Sequence, residues 1–190
     1  MATTLIVPGL HGSGPTHWQS WWEAQTPNTL RVEQADWATP ELTTWSAEVG
    51  KAIDRASSPV WIVAHSFGCL ASIKAASTRS GKVAGLFLVA PADPVKFQLT
   101  QDLPSHQLAI PSFVLASSND PWMRQADAKE WAARWGSRFV DLGPAGHVNP
   151  ASGFGPWEAG LELFQDFVEG NDPRTSTPRK SSFQSFLIHP

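Results

Sequence analysis

Six short β-branched or apolar runs alternate with five longer segments of helical period, which predicts an α/β fold: a mostly parallel six-stranded sheet flanked by helices. Two further observations support that class. The run Val60-Trp-Ile-Val-Ala64 is almost wholly apolar, as a strand buried on both faces must be, and it marks the middle of the sheet. The chain has 190 residues, 42% of them hydrophobic and 16% charged, which suits one sizeable core and is too short for two ordinary enzyme domains.

The first strand is expected at Thr4–Val7, ending in the glycine-rich turn Pro8-Gly-Leu-His-Gly-Ser-Gly14. A helix over Thr16–Gln25 follows, then a strand at Leu30–Gln34 and a helix over Pro40–Ala56. The central strand Val60–Ala64 leads into a helix at Phe67–Thr78, and the fourth strand lies at Ala84–Val89. From Pro91 to Pro111 no periodicity holds, so this crossover is irregular, with room for one short helix; it is the one candidate for a small lid. No insertion is large enough for a cap domain. The remaining elements are a strand at Ser112–Ala116, a helix over Pro121–Trp135, a strand at Arg138–Asp141 and a helix over Pro156–Val168. After Glu169 the composition turns polar and rich in Ser, Thr and Pro, which divides the chain into a domain of residues 1–169 and a flexible tail, Gly170–Pro190.

A net charge of −3 without any Lys/Arg run leaves no electrostatic footprint for nucleic acid. The single cysteine, Cys69, excludes an intramolecular disulfide and a zinc site of paired cysteines, and fits a reducing compartment. The N-terminus lacks the basic segment of a secretory signal, and no apolar run approaches the roughly 20 residues that cross a bilayer. A cytoplasmic protein without membrane association is therefore expected. Ten tryptophans beside no tyrosine are read as apolar area buried against the sheet, with some available to a substrate pocket.

The segment Ala64-His65-Ser66-Phe67-Gly68, at the end of the central strand and the start of a helix, has the setting of a nucleophile elbow. Ala64 replaces the first glycine of G-x-S-x-G but is still small. The competing reading makes Ser66 an N-cap. A serine hydroxyl needs a base within hydrogen-bond reach and a third group to orient it; on such a sheet these follow in the order Ser, Asp or Glu, His, from loops after later strands. Asp120, in Ser117-Ser-Asn-Asp-Pro-Trp122, is the orienting carboxylate, although Asp-Pro is also a common helix start. His147 lies in the glycine-rich loop Gly143-Pro-Ala-Gly-His-Val-Asn149 after the last strand and is the expected base. His11 and His17 precede the serine, His65 is held by the elbow, His106 lies in the crossover and His189 in the tail. For an oxyanion, the Phe67 amide is the first expected donor and the Leu10 amide the second, with the His11 amide as the alternative to Leu10. His11 and Trp122 are expected to bind substrate. The Gly9–Gly14 turn lacks the Gly-Lys-Ser/Thr ending of a phosphate loop and the spacing of a dinucleotide fingerprint.

Taken together, Pro8-Gly-Leu-His-Gly-Ser-Gly-Pro-Thr-His-Trp18, Ala64-His-Ser-Phe-Gly68, Asn119-Asp-Pro121 and Gly146-His-Val-Asn149 resemble the retinoblastoma-binding-protein-9-like family of small serine hydrolases, which includes bacterial YdeN-type proteins. The resemblance runs from about Thr4 to Phe167. It implies a minimal α/β-hydrolase fold with strand order 2-1-3-4-5-6, with Ser66, Asp120 and His147 as catalytic triad. The implied activity is hydrolysis of a small-molecule ester, thioester or amide, with no cofactor and no metal. The family's Leu-x-Cys-x-Glu retinoblastoma-binding motif is absent, so that partner is not implied. The alternative expectation is a catalytically idle hydrolase fold serving as a protein-binding module.

Overall fold

The structure, a computed structural model, describes residues 2–172. Six parallel strands form one sheet: β1 (Thr4–Val7), β2 (Thr29–Arg31), β3 (Val60–His65), β4 (Val83–Val89), β5 (Ser112–Ala116) and β6 (Arg138–Asp141), in the order β2-β1-β3-β4-β5-β6. Five helices cover it: α1 (Trp18–Gln25), α2 (Leu42–Arg55), α3 (Phe67–Ser77), α4 (Gln125–Trp135) and α5 (Glu158–Asn171). The strand order and the absence of a cap domain are those expected.

Because successive side chains of a strand point to opposite faces, each central strand feeds two cores. Leu5, Ile62, Ala64, Leu86 and Leu88 meet α2, α3 and α4 through Trp45, Leu70 and Trp131. Ile6, Trp61, Val63, Phe87 and Val89 face the other way, against Trp18 and Trp22 of α1 and Phe164 and Phe167 of α5. Most tryptophans are buried in these two layers, as expected. Trp21 and Trp37 are half-buried, and Trp122 is 60% exposed.

Several boundaries differ from the sequence reading. The second strand is Thr29–Arg31 rather than Leu30–Gln34. It is an edge strand whose ladder ends where Val32 N–H donates to Ile6 O, because the next backbone donor in register would be Pro8, just past β1, which has no N–H to give. The fourth helix begins at Gln125, not at Pro121. Its N-cap is Arg124, and Asp120 instead closes a tight turn by accepting from the Trp122 N–H at 2.8 Å. The 91–111 crossover folds as turns without a helix, anchored by buried Leu103 and Ile110. At the other end α5 runs to Asn171, two residues beyond the boundary placed after Glu169; residues 173–190, where most of the expected tail falls, lie outside the described residues. Among the described residues no helix is long and apolar enough to cross a membrane.

Candidate active site

The turn between β3 and α3 forces Ser66 into a backbone conformation that L-residues avoid, φ 53° and ψ −124°. The strain is held from both sides: Ser66 N–H donates to Val89 O, and Ser66 O accepts from the amides of Cys69 and Ala92. Gly68 explains how α3 can start so close to β1. A Cβ there would sit 2.4 Å from Pro8 O and 2.5 Å from Val7 O, both backbone atoms that cannot step aside. Gly68→Ala is therefore expected to destabilise the fold by about 2–4 kcal/mol. An unchanged urea midpoint would contradict this packing. Ala64, in place of the first motif glycine, is fully buried without strain, so this departure from G-x-S-x-G costs nothing.

His147 reaches Ser66 from the loop after β6, and that loop is tied down at several points. Ala145 N–H donates to Ser117 Oγ at 2.9 Å and Gly146 N–H to Asn119 Oδ1 at 2.7 Å. The His65 Nε2–H donates to His147 O at 2.9 Å, and the Trp18 indole N–H to Val148 O, also at 2.9 Å. With the backbone so held, Ser66 Oγ–H donates to His147 Nε2 at 2.9 Å, and His147 Nδ1–H donates to Asp120 Oδ2 at 2.8 Å. The Asp120 side chain is 2% exposed and that of His147 11%. Asp120 thus uses one oxygen on the Trp122 amide and the other on the imidazole. An arrangement of this kind lets an imidazole accept a hydroxyl proton while a buried carboxylate fixes its tautomer.

Leu10 opens a 3-10 turn directly after β1 and Phe67 opens α3, so neither amide has an intrahelical acceptor. The His11 amide is already committed to Trp37 O at 3.0 Å, which favours Leu10 over His11 as a donor toward Ser66. Leu10, His11 and Trp122 line the same cavity, about 630 Å³, into which Ser66 and His147 open.

The cavity also holds polar residues that the sequence reading passed over: His17, Asp93, Lys96 and Asn149. His17 caps α1 with Nδ1, which accepts from the Gln19 N–H, and packs edge-on against His65 at 4.9 Å between ring centres. His65 in turn lies 4.9 Å from His147. Burial, with the Arg31 guanidinium and then His147 beside it, pushes the His17 imidazole down to about 4. Burial, His147 and His17 hold His65 well below its ordinary value. The only sequence signal for His17 is its place beside Trp18 at a helix start, which does not mark it as a wall of the cavity.

These two neutral imidazoles set a pH dependence of stability. Below pH 6.5 the unfolded chain takes up protons at both histidines while the folded chain does not, so stability falls with pH until His17 protonates in place near 4. For His17 alone the loss is about 3 kcal/mol over that interval. Carboxylates such as Glu41, whose bonds to Thr44 and Thr43 hold it low, act in the same direction but only below their unfolded value of 4.5. The urea midpoint is expected to drop between pH 6.5 and 4.5 and to drop less in His17→Gln; equal slopes in both proteins would refute this role. Among the described residues no group of three or more His, Cys, Asp or Glu converges in a way that could hold a metal ion.

Comparison with known proteins identifies the family of this chain. The profile of the serine hydrolase family matches residues 4–166. A protein from Pectobacterium atrosepticum, described as a YdeN-like hydrolase, is 38% identical and superposes with a TM-score of 0.85, over 89% of this chain and 91% of its own. The ydeN product of Bacillus subtilis shares the fold at 17% identity and a TM-score of 0.75, over 88% of this chain and 99% of its own. An α/β serine hydrolase homologue from Coxiella burnetii does so at 20% identity and a TM-score of 0.60, over 88% of this chain and 84% of its own. A search of curated proteins gave no match. With the profile spanning nearly the whole described chain, this protein belongs to the serine hydrolase family.

Proposed function

We propose that this hydrolase cleaves a small ester, thioester or amide through an acyl-enzyme formed on Ser66. The observation that carries the reading is the unbroken hydrogen-bonded chain from Ser66 Oγ through His147 to the buried Asp120 carboxylate, at the wall of an open cavity. His147 takes the hydroxyl proton as Oγ attacks the carbonyl carbon, and Asp120 stabilises the imidazolium that results. The Leu10 and Phe67 amides receive the negative charge developing on the carbonyl oxygen. The imidazolium then gives its proton to the leaving alcohol, thiol or amine. Water, activated by the same imidazole, hydrolyses the acyl-Ser66 ester and restores the free enzyme. His11 and Trp122 contribute walls that orient the substrate.

A fluorophosphonate is expected to label the wild-type protein stoichiometrically at Ser66, and a panel of p-nitrophenyl esters of increasing acyl length, with matching thioesters and anilides, ranks the three bond types. A wild-type protein that stays unlabelled at high reagent and turns over no member of the panel would favour the idle binding module instead.

A further inference from the structure

Just after β4 the backbone makes a second strained turn, with Ala90 at φ 46°, and the following residues are pinned to the nucleophile: Ala92 N–H donates to Ser66 O at 3.1 Å. The next residue, Asp93, is 7% exposed and lines the cavity. One carboxylate oxygen, Oδ1, accepts from the Val95 N–H at 2.9 Å, which suffices to hold the turn. The second, Oδ2, has no protein partner and is not sealed from solvent, since the fully buried side-chain polar atoms without partners are Gln34 Oε1 and Trp157 Nε1. Asp93 and Ser66 line the same cavity. A carboxylate oxygen in a largely enclosed wall, left without an ion-pair partner and reachable from a substrate cavity, is placed to receive a positively charged group of a ligand in exchange for water.

Neighbouring cations are engaged elsewhere. Lys96 Nζ donates to Trp122 O at 2.6 Å, and Arg124 holds Asp127 through two bonds of 2.7 Å. The bonds to Asp127, and after them the nearby Asp93 charge, help to hold the Arg124 guanidinium protonated, but among the described residues its ion pair is with Asp127 and not with Asp93. On the same side the cavity offers the aromatic side chains of Phe97 and Trp122, both exposed, which suit the face of an organic cation.

We propose that Asp93 forms a subsite for a positively charged nitrogen of the substrate, so that the preferred ester or amide carries an ammonium group a few bonds from its scissile carbonyl. The proposal rests on the hydrolase reading for its substrate class, but its test does not require turnover. Charged and neutral isosteres are compared by calorimetry on the Ser66→Ala protein: ethyl β-alaninate against ethyl butyrate, which places the charge on the acyl side, and acetylcholine against dimethylbutyl acetate, which places it on the alcohol side. The charged member of at least one pair is expected to bind roughly 10- to 100-fold more tightly, the range for a charged hydrogen bond or, for the quaternary ammonium, a desolvated charge and cation–π contact. Asp93→Asn, which keeps an oxygen for the Val95 amide, is expected to bring that pair to equal affinity. Equal affinities in both pairs before any change at Asp93 would overturn the subsite, as would a preference that survives in Asp93→Asn. A retained preference in a protein that never labels or turns over would sustain the subsite and sink the hydrolase reading instead.

Discussion

Ser66→Ala is expected to abolish fluorophosphonate labelling and to reduce kcat by about a million-fold, the scale set by removing the nucleophile from a serine-histidine-aspartate relay. The substitution deletes one oxygen and the single bond it makes to His147 Nε2 at 2.9 Å, while the Cβ and the strained backbone at φ 53° remain. The fold should therefore keep its urea midpoint to within about 1 kcal/mol. That combination, chemistry lost and stability kept, separates a nucleophile from a structural serine. Were Ser66 only the N-cap of α3, labelling would never have occurred and the cost would appear in stability. The structure already speaks against the cap, because the Ser66 side chain makes no capping bond to α3. Residual labelling of the variant at an equal rate would move the nucleophile elsewhere.

Asp120→Asn is expected to lower kcat by about 10,000-fold with little change in fold. The reason lies in how the two carboxylate oxygens are used. Oδ1 accepts from the Trp122 amide and Oδ2 from His147 Nδ1–H. An asparagine has one acceptor for these two donors. If its oxygen stays with Trp122, its NH₂ faces Nδ1, which must then be the unprotonated nitrogen; the proton moves to Nε2, and the imidazole can no longer accept from Ser66. The loss should fall on kcat and on labelling rate together, whereas KM changes little. A variant within tenfold of wild type would reduce Asp120 to a residue that shapes the turn before α4.

The elements and the elbow were legible because their signals are local. The apolar run of β3, the small residues around Ser66 and the glycine-rich loop carrying His147 each announce themselves within a few positions. Asp120 shows where such reading slips. Asp-Pro is a helix-start signal, and the helix is accordingly expected at Pro121, but the carboxylate that bonds His147 closes only a tight turn through the Trp122 amide, and α4 begins at Gln125. The bond to His147 joins partners 27 residues apart, which no local propensity registers.

The sequence by itself determined the alternation of strands and helices, the elbow serine, and the loops that carry an acid and a histidine, since these depend on backbone preference and hydrophobic period over short windows. Only the tertiary structure decided what surrounds them. It stacked His17 and His65 beside His147 and turned Asp93 from an aperiodic crossover into the wall next to Ser66. The physical reason is that burial and electrostatic environment are properties of space: a parallel sheet brings the carboxyl ends of distant strands to one edge, and what a side chain meets there is set by neighbours that the chain order does not name.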